Sequence, residues 1–106
     1  MDRLGNTLGA LSHPSRRAIL DRLTRGPARV TEIAEPFDMS LNAVSKHLKV
    51  LESAGLIRRE IVGRDHVIEF RGAPLREVST WVRHYERFWT QELDKLEHYF
   101  KGKRSK

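Results

Sequence analysis

Asn42, Ser45, Lys46 and Lys49 fall on one side of a single helix-length segment, and their types suit contact with a nucleic-acid groove. An amide can pair with an adenine edge in bidentate fashion, a hydroxyl serves several bases, and an ammonium reaches guanine or phosphate. Ala43 lies among them and Ser40 just before them; both are assigned to the same DNA-contacting surface, and Ser40 is also a good helix cap. Further along, Arg58, Arg59, Arg64 and His66 supply positive charge from an extended region. Arg64 falls at the tip of a predicted hairpin, placed to enter a narrow minor groove where negative potential is enhanced. Strand alternation sends Arg58 and its neighbour Arg59 to opposite faces, which leaves one of them merely solvated. Arg16 and Arg17, just after Pro14, and Arg29, at a later helix start, are candidates for phosphates. Ordinary surface charge explains these three equally well.

Other chemistries find little support. Cysteine is absent, which removes disulfides and thiolate ligands. The five histidines, His13, His47, His66, His84 and His98, lie on different elements, and none pairs at the i, i+4 spacing of a helical zinc site. No metal and no cofactor is expected. Ser45 and His47 are two residues apart on one helix and so diverge by about 200°. Neither a phosphate loop nor a nucleophile elbow occurs, and an enzyme is not expected.

The elements that must position these residues follow from periodicity. Leu41, Val44, Leu48 and Leu51 recur at i, i+3, i+7 and i+10, one apolar stripe opposite the polar face. Before them, a short helix over about 31–37 buries Ile33, Ala34 and Phe37, Pro36 stops it, and Asp38-Met39 makes the turn. Two helices in this order form a helix-turn-helix. Gly55 closes the second, and the pattern then alternates in LIRREIV (56–62) and HVIEF (66–70), joined by Gly63-Arg64-Asp65. A basic-tipped hairpin in that place is a wing. Upstream, Leu4, Leu8 and Leu11 mark a short amphipathic helix, and a second helix begins at Pro14 and ends at Gly26-Pro27.

From about residue 74 to 100 a last helix sets Leu75, Val78, Val82, Tyr85, Trp89 and Leu96 on one side, flanked by Trp81, Phe88 and Phe100. So wide an aromatic stripe exceeds what a small domain covers by itself, and it reads as either internal core or a subunit interface. The second reading is preferred, with Leu4, Leu8, Trp81, Tyr85, Phe88 and Trp89 at a homodimer interface built from the terminal helices. Residues 1–100 are thus predicted to form one mainly α winged helix-turn-helix domain with a small β-hairpin.

The net charge of +6 is unevenly spread. Residues 1–39 carry +1, 40–66 carry +2, 67–100 carry −1, and the last six carry +4. The basic end, 101–106, reads as a disordered tail, whereas the charge over 40–66 is local to the recognition segment. No apolar run approaches the roughly 20 residues of a membrane span and no signal peptide opens the chain, so a cytoplasmic protein is expected.

The run from Leu11 to about Phe70 resembles the ArsR/SmtB family of winged-helix repressors. The resemblance rests on LSHPSRRAIL and on TEIAEPFDMSLNAVSKHLKVLESAGLIRRE. It implies a homodimer that binds near-palindromic double-stranded DNA and leaves it on a signal. Ser40, Val44, Ser45, His47, Leu48 and Leu51 match the family's recognition-helix pattern, while Asn42 and Ala43 replace its usual Ser-Thr pair. The family's metal positions fall near Arg29 and Thr31, and near Gly72, Pro74, Tyr85 and Phe88, where ordinary zinc ligands are missing. The resemblance therefore implies a branch without metal sensing, whose inducer, small molecule or protein, the residues do not name. The rival reading is a winged-helix module that binds protein. Such modules commonly lose the basic groups that Lys46, Lys49 and Arg64 retain here.

Overall fold

Three of the four short helices start at a residue whose side chain accepts from a free backbone N–H of the first turn. In the computed structural model, which describes residues 2–104, α1 (Arg3–Ala10) is capped by Asp2, whose carboxylate accepts from the Gly5 N–H at 3.0 Å. Helix α2 (Pro14–Leu23) has Pro14 in its first turn, and the His13 Nδ1 accepts from the Ser15 N–H at 3.2 Å. The strand β1 (Ala28–Arg29) leads into α3 (Val30–Ala34), where the Glu32 carboxylate accepts from the Arg29 N–H at 3.0 Å. Helix α4 (Leu41–Ser53) opens with the Ser40 hydroxyl accepting from the Ala43 N–H at 3.1 Å.

The end of α4 is equally defined. Gly55 takes a φ of 75°, its N–H donates to the Glu52 carbonyl, and the Leu56 N–H donates to the Leu51 carbonyl. This is a Schellman closure, with fully buried Leu51 and Leu56 as its apolar partners. The chain reverses there and enters β2 (Ile57–Val62), which pairs antiparallel with β3 (Asp65–Phe70). Gly63, at a φ of 64°, and Arg64 alone form the turn, because Asp65 already pairs with Val62. The three-residue turn predicted from sequence is therefore one residue too long. The hairpin also gains an unpredicted third strand: β1 pairs with β3 through Ala28 and Ile68, giving the order β1-β3-β2.

One core joins these pieces. Ile19 and Leu23 of α2, Ile33 of α3, Val44, Leu48 and Leu51 of α4, and Ile68 of β3 are all buried. Leu41, predicted as the first residue of the α4 stripe, is not among them; it is 52% exposed. In α1 the buried residues are Thr7 and Ala10, while Leu4 is half-buried and Leu8 exposed. Ala34 and Phe37 pack against the core only in part, since α3 ends at Ala34.

The chain ends in α5 (Ala73–Arg104), 32 residues and so about 48 Å of helix. Its first turns pack on α1, with an Arg3–Glu77 ion pair at 3.2 Å and half-buried Leu75 against the core. Beyond them it leaves the body of the molecule, whose longest dimension is 70 Å. Residues 101–104 continue this helix, in contrast to the disordered tail that their charge suggests; 105 and 106 lie outside the described residues. Tyr85, Phe88, Trp89, Leu93, Leu96 and Phe100 are all exposed, so the stripe is not covered from within the chain.

Candidate nucleic-acid interface

Packing of Val44, Leu48 and Leu51 into the core turns the opposite side of α4 outward, and Asn42, Ser45, Lys46 and Lys49 are exposed there. Ala43 is only half-buried, and its N–H is held by the Ser40 cap. The exposed surface has two flanks. Ser45 and Leu41 border a cleft of about 330 Å³ against the wing, with Arg59, Arg64 and His66 on the far wall. Lys46 and Lys49 border a second cleft of about 520 Å³ against α1, with Asn6 opposite and Val50 between.

The wing arginines separate as alternation requires, and the register decides which one faces α4. Arg59 lies opposite Ile68, and residues directly opposite in an antiparallel pair share a face. Arg59 therefore sits on the helix side, where it pairs with Glu52 of α4 at 3.6 Å and donates to the His66 Nδ1 at 3.1 Å. Arg58, the residue expected at the interface, lies opposite Glu69 on the other face of the sheet. Both arginines are wing candidates in the sequence, and counting alternation from Ile57 already places Arg59, not Arg58, toward the core side. Arg64 occupies the hairpin tip, as expected, and is exposed.

The remaining arginines are engaged within the fold. Arg16, expected at phosphates, donates to the Ala10 carbonyl at 2.7 Å, to the Gly9 carbonyl at 3.3 Å and to the His47 Nδ1 at 3.3 Å. Arg17 donates to the Leu11 carbonyl at 2.7 Å. Both bind carbonyls that the end of α1 leaves without helical partners, and so they fasten α1 to α2. Arg29 pairs with Glu32 at 3.0 Å and with Asp65 at 3.8 Å, which raises its pKa and ties α3 to the wing. On the same account the Glu32 carboxyl is held low, chiefly by the Arg29 N–H and guanidinium.

His47 is half-buried on the inner flank of α4. Its ring lies 4.6 Å from that of His13, and the Arg16 guanidinium donates to its Nδ1. Burial, then the charges that His13 and Arg16 can carry, push its pKa down. A neutral ring is what the Arg16 hydrogen bond needs, since guanidinium only donates. Among the described residues, no three His, Cys, Asp or Glu side chains come together as a metal-binding group. No described helix is long and apolar enough to cross a membrane.

A short helix and a capped recognition helix, followed by a hairpin with a cationic tip, define a winged helix-turn-helix protein. Comparison with known proteins agrees: a helix-turn-helix domain family matches residues 11–60. The HTH-type transcriptional regulator Rv2034 of Mycobacterium tuberculosis is 39% identical over 84 residues, 79% of this chain and 76% of that protein. A crystal structure of an ArsR family transcriptional regulator is 40% identical and superposes with a TM-score of 0.77 over 83% of this chain and 91% of that one. The solution structure of a homodimeric winged helix-turn-helix DNA-binding domain from Mycobacterium bovis is 25% identical, with a TM-score of 0.66 over 86% and 84% of the two chains. The chain belongs to the ArsR family of DNA-binding transcriptional regulators.

Proposed function

We propose that this protein is a cytoplasmic homodimeric repressor that binds a near-palindromic operator. The observation that carries the reading is the outward face of α4, where Asn42, Ser45, Lys46 and Lys49 stand exposed beside Arg64 of the wing. A helix of this diameter fits the major groove, and its polar groups match base edges while its lysines match phosphates. Two-fold symmetry would set two such helices about 34 Å apart, one on each half-site, with the wings on flanking DNA. A protein occupying two adjacent turns of promoter DNA excludes polymerase, hence repression.

The dimer is assigned to α5 with support from α1. Trp81, Tyr85, Phe88 and Trp89 line the exposed stripe of α5, and Leu8 is exposed on the neighbouring helix. Leaving these rings in water is unfavourable, and a second α5 covers like with like. The homodimeric relative described above supports dimerisation itself, not a particular surface for it.

Fluorescence anisotropy on the DNA upstream of its own coding region, against a scrambled duplex across a salt series, tests the proposal. Tighter binding to the native duplex that weakens steeply with salt is the expected outcome. Equal, weak binding to both, repeated with duplexes selected from a random pool, would replace the DNA reading with that of a protein-binding winged-helix module.

A further inference from the structure

Leu41 stands apart from every other residue of its predicted stripe. Val44, Leu48 and Leu51 close the core completely, each at 0% exposure, whereas Leu41 projects from the first turn with half its surface in water. Position explains the difference. At 100° per residue Leu41 lies about 20° from Leu48 and about 40° from Ser45, on the border of the apolar stripe, and as the first residue of α4 it projects past the end of the core beside Ser45. Apart from Val30, its surroundings in the wing cleft are polar or charged, with Ser45, Arg59, Arg64, His66 and the Asp65 carboxylate among them. An isolated exposed leucine is ordinary on a protein surface. A leucine in the first turn of a recognition helix, where the side chains that meet base edges are found, is placed for a ligand.

The chemistry of the groove then limits what that ligand is. Base pairs display hydrogen-bond donors and acceptors along the major-groove floor, with one apolar group among them, the C5-methyl of thymine. Ser45 and Asn42 suit the polar positions, and Arg64, exposed at the wing tip, suits a phosphate. Leu41 suits only the methyl. We infer that Leu41 reads a thymine methyl in each operator half-site and so sets the base preference at that position. The inference rests on the DNA-binding function proposed above.

Uracil tests it directly, because deoxyuridine keeps the hydrogen-bonding edge of thymidine and removes only the methyl. A preferred duplex, recovered by selection from random DNA, is resynthesised with each thymine in turn replaced by uracil. Anisotropy titrations are run with the unaltered protein and with Leu41→Ala. This substitution is exposed and adopts the same helical backbone. At one thymine of each half-site the unaltered protein should lose about fourfold in affinity, the scale of one buried methyl group. Leu41→Ala should show no loss at that position. Indifference of the unaltered protein to uracil everywhere, or an equal loss in both proteins, would overturn the assignment of Leu41 and leave DNA binding standing. Failure of the selection to yield any preferred duplex would remove the DNA-binding function and this inference together.

Discussion

Lys46 and Lys49 extend from the same side of α4 toward the α1 cleft, and neither forms an ion pair among the described residues. Replacing both with Ala should leave the folded state intact and weaken DNA binding. The plot of log affinity against log salt should flatten by about one unit for each phosphate that is no longer neutralised. An unchanged slope would assign phosphate binding to other side chains. His47 acts inward from the same helix. Its folded pKa lies below the ordinary value near 6.5 because burial, His13 and Arg16 all disfavour its cation. The unfolded chain therefore takes up more protons as pH falls through that range, so stability is full above about 6.5 and declines below it until the folded pKa is reached. The melting temperature should drop between about pH 7.5 and about pH 5.5. The drop should shrink in His47→Gln, whose amide oxygen can still accept from Arg16. Identical drops in both proteins would assign the pH dependence to other groups.

Among the elements, α4 owes its defined length to its two ends: the Ser40 hydroxyl at one and the Schellman closure at Gly55 at the other. A Cβ on Gly55 would lie 3.5 Å from Pro74, ordinary contact, so space is not the obstacle. Its φ of 75° is. Gly55→Ala should cost about 1 kcal/mol of unfolding free energy, the scale of a left-handed alanine, measurable by urea denaturation. Stability equal to that of the unaltered protein would show that the chain leaves α4 by another route. The wing is fixed to α4 through Arg59–Glu52 and to α3 through Arg29–Asp65. Arg29, Asp65 and Arg59 border the cleft in which Leu41 lies.

Across the whole molecule, α5 dominates, since more than half of its length extends past the reading head with its aromatic side uncovered. A signal that altered the angle between two paired α5 helices would change the spacing of two recognition helices at once. Trp81→Ala and Phe88→Ala should each weaken the dimer by about 2 kcal/mol, as buried aromatic anchors do. Operator affinity should fall in parallel, because a single head grips one half-site. Sedimentation velocity that finds both variants as intact dimers would locate the interface on another surface.

Sequence periodicity and turn and cap residue types determined the helix-turn-helix, the wing hairpin, the capping role of Ser40 and the breadth of the α5 stripe. Each of these depends on residues within about one helical turn or one strand of each other, so local spacing records them. Tertiary structure decided what depends on distant partners. Arg16 meets carbonyls of α1 and the ring of His47, 31 positions away. Arg59 faces α4 because of its register against Ile68, and β1 exists only because β3 is there to pair with it. Leu41 fits the apolar period yet stays in water, because the core is already closed by Val44, Leu48 and Leu51 before the helix reaches its first turn. Periodicity states which side chains share a face; only packing decides where along the helix that face finds something to bury against.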